Sequence, residues 1–261
     1  MNDHDQTLLQ IVNHIVNQHP LLAADVEKIA AYAQGKGYGT ATIEQEAGLL
    51  QQLLQDQPTL AIDVGGNIGN YTAELRKRNP ALEIHIFEPS TINLAQLSAR
   101  FESDSLVKIV PYALSEQAGS ATLFSDKPGS GMGSLTQRRL DHFNIEFDTT
   151  ETISTMRFED YWQTQLQSRQ LDMVKIDVEG HELAALKGFG AALDVTRVLQ
   201  FEFGGTHIDT RTYFQDFWYF FIEQGFDLYR ITPFGAKKIS RYSESDEFFA
   251  ITNYIAVNQR R

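Results

Sequence analysis

The residues best suited to chemistry in this chain sit at turns that follow short apolar runs. Ala61 to Asn70 reads AIDVGGNIGN, an apolar run that meets an acid and enters a glycine-rich turn. Asp63, Gly65 and Gly69 give the spacing D-x-G-x-x-x-G. Glycine lets a backbone bend through positive φ and approach a ligand closely, and a helix starting near Asn70 aims its first amides at that ligand. The turn departs from the dinucleotide fingerprint G-x-G-x-x-G, because Asn67 and Asn70 stand at its second and third glycine positions. It suits a nucleotide-like ligand that lacks a pyrophosphate. A tight strand-to-helix connection without a ligand is the plain alternative.

Glu88 ends the next apolar run, LEIHIFEP. A carboxylate there accepts both hydroxyls of a ribose through charge-assisted bonds, or it complements the dipole of the helix that follows. Lys175 to Glu182 reads KIDVEGHE. Charged residues are rare inside buried strands, yet Lys175 and Asp177 flank Ile176 on one face at period two. Gly180 permits a sharp turn, so Asp177, Glu179 and His181 are expected to converge on one cleft. A neutral imidazole beside a carboxylate there acts as general base toward a hydroxyl. The alternative is that Lys175 pairs with Asp177 and His181 only caps a helix. Glu202, in LQFEFGG, ends the following strand. With Asp177 it offers two hard oxygen ligands of the kind Mg²⁺ takes; without a metal, Glu202 orients the hydroxyl instead.

These residues need a scaffold that gathers strand ends at one rim. From Thr59 onward, strands and helices alternate. LAIDV, LEIHIFEP, VKIVPYAL, LDMVKIDVEG and VTRVLQFEF read as five strands, with helices over Asn70–Arg78, Thr91–Phe101 and ELAALKGF. That rhythm predicts an α/β fold built on a mostly parallel sheet, with ligands beyond the carboxyl ends of its strands. Four of the five strands end in or beside an acid: Asp63, Glu88, Asp177 and Glu202. SATLFSD is a short strand after a turn at Gly119, and KPGSGMGSLTQRRLDHFNIEF reads as a long loop. YFQDFWYFFIEQG is a helix leading into FDLYRIT and a last hairpin at FFAITNYIAVN. Ahead of the first strand, residues 7 to 33 are helical with a break at Pro20, and Thr42 caps a further helix. The expected organisation is an N-terminal helical cap over 1–56 and the fold proper over 57–261.

Two glycine-rich loops, GKGYGT at 35–40 and PGSGMGSL at 128–135, are each suited to closing over a ligand or to serving as linkers. The aromatic stripe of Tyr213, Phe214, Phe217, Trp218, Phe220 and Phe221 reads as core or as a homo-oligomer interface rather than a ligand platform. A net charge of −12 argues against a nucleic-acid partner, and Lys127, Arg138 and Arg139 make only a small basic patch. There are no cysteines, hence no disulfides or thiolate metal sites. No apolar run approaches the ~20 residues of a membrane span, and the acidic N-terminus lacks the charge of a secretory signal. A cytoplasmic location is the expectation.

IDVGGNIGNYT, FEPS, VKIDVEGHELAALKG and QFEF together resemble the FkbM family of S-adenosylmethionine (SAM)-dependent methyltransferases, over about residues 59 to 204. The resemblance implies a Rossmann-like class I methyltransferase fold, here with a C-terminal antiparallel hairpin and an N-terminal helical extension. It implies SAM as methyl donor and suggests O-methylation of a sugar, glycan or glycosylated natural product. Carried onto this sequence, Asp63, Gly65, Asn67 and Gly69 hold the methionine end of SAM, and Glu88 holds its ribose. Ala113 and Leu114 lie by the adenine. Asp177, Glu179, His181 and Glu202 line the acceptor side, beside Lys175. Gly66 stands where many members have alanine. Two other readings are a nucleotide-dependent oxidoreductase, against which the altered glycine spacing counts, and a non-catalytic SAM-binding scaffold.

Overall fold

A switch in strand order opens a crevice at the carboxyl ends of the strands. The computed structural model describes residues 3–39, 42–54 and 56–260. Thr40 of the first glycine-rich loop and the ends of the expected units, Met1 and Arg261, lie outside them. Helices α1 (Asp3–Gln18), α2 (Ala23–Ala33) and α3 (Ile43–Leu53) precede β1 (Leu60–Val64). Then come α4 (Asn70–Arg78), β2 (Glu83–Phe87), α5 (Thr91–Phe101) and β3 (Val107–Val110). The chain leaves the main sheet through β4 (Ala113–Leu114), β5 (Gly119–Ser125) and β6 (Thr149–Met156), then forms α6 (Phe158–Thr164). It returns as β7 (Leu171–Ile176), α7 (Glu182–Phe189) and β8 (Thr196–Phe203). Helices α8 (Thr206–Thr210) and α9 (Phe214–Glu223) lead to β9 (Phe226–Thr232), β10 (Gly235–Ile239) and β11 (Thr252–Asn258).

The eight-stranded sheet runs β10-β9-β11-β8-β7-β1-β2-β3, and β4-β6-β5 form a second sheet of three strands. β1 pairs in parallel with both β2 and β7. The chain winds outward from β1 to β3, then restarts at β7 on the other side of β1. Strand order reverses there, and diverging loops open a crevice at such a point. The parallel strands β1 and β7 are buried along their whole length, as helices on both faces require.

Two sequence expectations are corrected. VKIVPYAL is not one strand: it breaks after Val110, and Ala113–Leu114 joins the small sheet beside β6. FFAITNYIAVN is not a hairpin. Its ordered part is the single strand β11, which inserts antiparallel between β8 and β9, while the terminal hairpin is β9 with β10.

One face of the aromatic stripe is core, while Tyr213 is exposed. Phe214, Phe217 and Phe221 are fully buried, and Phe217 stacks on Phe201 of β8 with centroids 4.9 Å apart. Helix α3 packs Ala47 and Leu50 into a cluster with Tyr71, Leu75, Ile84 and Ile86. It is therefore part of the body of the fold. No helix among the described residues is long and apolar enough to cross a membrane.

Candidate functional site

The turn after β1 is held by contacts that only glycine permits. Gly65 adopts φ +79°, and a Cβ there would lie 1.8 Å from the backbone oxygen of Asp177. The β1 and β7 turns thus touch directly. Gly69, at φ +81°, packs against Phe101 and Leu97, where a Cβ would meet the Phe101 ring at 2.5 Å. Below the turn, Asp63 is wholly buried and accepts a 2.7 Å bond from the Thr72 hydroxyl. Burial pushes its carboxyl upward, opposed by the charge of Lys175. Asp63 and Gly69, expected to touch the donor, line neither of the two cavities described next; they brace the turn from beneath.

The first cavity, about 290 Å³, is walled by Gly65, Asn67, Glu88, Ala113, Leu114, Asp177, Glu179 and His181, among others. The small sheet and the 128–135 loop close it from above through Leu123, Gly129, Gly131 and Leu135. That loop is pinned by reciprocal Phe124–Ser134 backbone bonds of 2.8 and 2.9 Å. Glu88 is buried, and its two carboxylate oxygens accept the Asn67 and Ser90 backbone amides at 2.8 and 2.9 Å. Burial nevertheless raises its pKa to about 7. Three more polar atoms on this wall, Asn67 Oδ1, Ser90 Oγ and Asn93 Oδ1, are buried with no hydrogen-bond partner among the described residues.

A second cavity of about 200 Å³ adjoins the first and shares Gly65, Asn67 and Asp177 with it. Lys175, Glu202, Tyr71, Asn253 and Glu46 complete its polar wall. Sheet register explains the gathering. Asp63 pairs with Lys175, and Lys175 with Gln200, across β1, β7 and β8; Glu202 pairs with Asn253 across β8 and β11. Lys175 Nζ donates to Asp177 Oδ2 at 3.0 Å and lies 5.1 Å from the centre of the Tyr71 ring. Burial works against its charge, but Asp177 and Asp63 hold it protonated well above the ordinary lysine range.

The Glu202 carboxyl accepts no hydrogen bond from a described residue, although only 8% of the residue is exposed. Its carboxyl is pushed well above the usual carboxylate range by burial and by Asp177, Glu179 and Glu182, against the pull of Lys175. Glu179, at φ +54°, is raised to about 8 by burial and by Asp177 and Glu182, while Arg138 at 3.2 Å opposes the shift. Oxygens of Asp177, Glu179 and Glu202 all lie within 4.8 Å of one another. The two residues put forward as Mg²⁺ ligands are therefore neighbours, with the Lys175 ammonium already on one of them.

His181 shares the first cavity with Asp177 and Glu179 but bonds elsewhere. Its Nε2 meets the Ser115 hydroxyl at 3.0 Å rather than a carboxylate. Burial lowers its pKa, which keeps the ring neutral. Glu182, the last residue of the KIDVEGHE run, is structural. Its carboxylate accepts the Val178 and Gly180 amides and lies 3.0 Å from His207 Nε2, both side chains being buried.

Sequence reasoning missed Glu46, Asn253 and Tyr71. Glu46 had one legible signal: it is an acid on the stripe Ile43, Glu46, Ala47, Leu50, whose other members are apolar. Nothing local marks Asn253 or Tyr71, because strand pairing and helix packing bring them in. Of the two glycine-rich loops, the one at 128–135 roofs the first cavity, while Gly39 of the other lines the second.

The chain matches the model of the methyltransferase FkbM domain over residues 63–228. It is similar to the 2-O-methyltransferase NoeI of Sinorhizobium fredii (strain NBRC 101917 / NGR234), at 22% identity over 194 residues covering 70% of this chain and 78% of that protein. It is also similar to Methyltransferase 1 of Beauveria bassiana (strain ARSEF 2860), at 22% identity over 143 residues, 49% of this chain and 57% of that one. Among solved structures, the methyltransferase FkbM from Methylobacillus flagellatus KT superimposes with a TM-score of 0.52 at 16% identity. The match covers 98% of this chain and 55% of that one, and shows a shared fold. A methyltransferase model spanning the glycine turn, the Glu88 strand end and the whole KIDVEGHE run also displaces the oxidoreductase reading. By that match the chain belongs to the FkbM family of SAM-dependent methyltransferases.

Proposed function

We propose that the chain transfers a methyl group from SAM to a hydroxyl of a sugar, glycan or glycosylated natural product, with the donor in the first cavity and the acceptor in the second. The observation that carries this reading is the wall that the two cavities share at Gly65, Asn67 and Asp177. Ligands held on either side of that wall meet with little freedom left to lose, which lowers the barrier of a bimolecular transfer.

The first cavity fits an adenosyl donor. Its orphaned oxygens on Asn67, Ser90 and Asn93 call for polar partners, and Leu114, Leu123, Ile92 and Leu135 offer apolar walls for a flat base. Glu88 would hold the ribose hydroxyls, and Ala113 and Leu114 would lie by the adenine. SAM, when bound, supplies a methyl group activated by its positive sulfur.

The second cavity supplies the base. The Glu202 side chain is buried, bonded by no described residue and open to this cavity, so its ionised form takes the proton of a hydroxyl as that oxygen forms its new bond to carbon. Lys175 steadies the charge of Asp177 alongside. The name of the relative NoeI, a 2-O-methyltransferase, supports oxygen as the accepting atom.

The test is formation of S-adenosylhomocysteine (SAH) across a panel of hydroxylated acceptors, with SAH binding measured by calorimetry. Glu202→Gln should lower kcat by about 10²-fold or more and leave SAH affinity within about twofold. SAH binding without transfer to any acceptor would favour the scaffold reading, and equal losses of binding and turnover would move Glu202 to the donor site.

A further inference from the structure

Glu46 is the least expected member of the second cavity's wall. It comes from α3, upstream of β1, and is 4% exposed. Its carboxylate accepts Gln200 Nε2 at 2.6 Å, Asn253 Nδ2 at 3.1 Å and the Thr42 hydroxyl. Three partners thus converge on the two oxygens of one buried acid. The network continues, because the Tyr71 hydroxyl donates to Gln200 Oε1 at 3.2 Å and Asn253 Oδ1 accepts Gln200 Nε2 at 3.2 Å.

The segment that carries Glu46 is anchored on the C-terminal strands. The Gly37 amide donates to Thr252 Oγ1, which in turn donates to Gly35 O, both at 3.2 Å. Gln45 Nε2 donates to Thr232 O at 3.1 Å. This wall is therefore fixed before an acceptor arrives.

One Asn253 amide hydrogen is used on Glu46, which leaves the other for the cavity, and Lys175 keeps two ammonium hydrogens after its bond to Asp177. Asp177 and Glu202 supply acceptors beside them. A cavity of mixed donors and acceptors suits a polyhydroxylated ligand. Its wall does not suit an anion: the carboxyl groups of Glu46, Asp177 and Glu202 line it, and Lys175 is the one cationic side chain among its described lining residues. A like charge brought into a desolvated wall costs several kcal/mol, and exclusion of this kind is how a site rejects a near-isosteric ligand.

We infer that Glu46 is a specificity residue of the acceptor site: its fixed, buried carboxylate orients Asn253 toward neutral, hydroxyl-rich acceptors and excludes those that carry an anionic group beside the reacting hydroxyl. The inference rests on the second cavity being the acceptor site, and its test separates the two ideas.

Ile92 lines the first cavity and Ile43 the second, so methyl NMR of isoleucine-labelled protein reports each independently. SAH is added first and should move Ile92. Methyl β-D-glucoside and methyl β-D-glucuronoside are then titrated at high salt, which screens the overall charge of −12 but not a buried carboxylate. The glucoside should move Ile43 and bind roughly tenfold or more tighter than the glucuronoside. Glu46→Gln should bring the two within about threefold while Ile92 still responds to SAH. Asn253→Ser should weaken both glycosides alike.

Glycoside binding that leaves Ile43 unmoved, or no binding at all, overturns the acceptor-site reading and the inference with it. An Ile43 shift with no preference for the glucoside in the unaltered chain overturns the role of Glu46 alone, whether or not the variant folds. So does a preference that Glu46→Gln leaves unchanged.

Discussion

Lys175 Nζ donates to Asp177 Oδ2 at 3.0 Å, and on the neighbouring strand the same ammonium opposes the burial and the nearby acids that raise the Glu202 carboxyl. One buried cation thus acts on two acids of one wall. As a base, Glu202 must be ionised, so kcat/KM should rise with pH through a value well above the ordinary carboxylate range and then level off. Removing the cation removes the pull. Lys175→Met should displace that rising limb to higher pH by about one unit or more, which at pH 7 is roughly a tenfold loss. A rate profile that is flat from pH 6 to 9 in the unaltered chain would exclude Glu202 as the base.

Glu88 gives the donor side its own pH dependence. With SAM seated as proposed, its ribose hydroxyls would donate to the ionised carboxylate, and burial raises that carboxyl to about 7. Below this value the group is protonated and offers a weaker acceptor, so SAH affinity should fall as pH drops from 8 to 6 and stay constant above 8. Glu88→Gln should weaken SAH by roughly 10- to 100-fold, the scale of one hydrogen bond to a charged group, and flatten the dependence. Calorimetry across that range decides the matter; equal affinity at pH 6 and 8 removes Glu88 from the donor contacts.

The end of the KIDVEGHE run holds the site together without entering it. Glu182 binds the Val178 and Gly180 amides and His207, so it fixes the turn that presents Asp177 and Glu179. Burial works against its ionised form, but His207 and the backbone bonds hold its pKa below the ordinary 4.5. The sign follows: a depressed carboxylate stabilises the fold fully above about pH 4.5, and the contribution fades as pH falls below it. Glu182→Ala leaves His207 and two amides without a buried partner and should cost about 3–5 kcal/mol, read as a fall in the denaturation midpoint. Loss of activity with unchanged stability would instead place Glu182 among the reacting groups.

The sequence made the first cavity far more legible than the second. Asp63, Gly65, Asn67 and Glu88 lie on two consecutive strand–turn units, where local spacing announces a ligand turn. The outward run of strands could also be read from hydrophobic rhythm. Asp63 bonds Thr72 and lines neither cavity, because spacing alone does not fix which face of a strand a side chain takes. Glu46, Tyr71 and Asn253 reach the second cavity from an upstream helix, from α4 and from the last strand. Their convergence depends on β11 inserting between β8 and β9, a long-range pairing that leaves no short-range trace. Breaking VKIVPYAL after Val110 is the same kind of event: Pro111 stops the strand, but only the presence of β6 decides where Ala113 goes.

The acids that converge on the shared wall raise the question of what balances them. Asp177, Glu179 and Glu202 bring oxygens within 4.8 Å of one another, an arrangement that a divalent cation would tolerate. Two resident cations already act on it: Lys175 bonds Asp177, and Arg138 bonds Glu179 at 3.2 Å. Burial and mutual repulsion also raise Glu179 and Glu202, so at neutral pH the cluster holds protons as well as charge. Proton and lysine together supply the compensation, and turnover should survive chelation. Activity after extended treatment with EDTA is expected to stay within about twofold of the untreated protein, with no gain on adding Mg²⁺. A loss that Mg²⁺ restores, absent in Glu202→Gln, would transfer activation of the hydroxyl from carboxylate to metal.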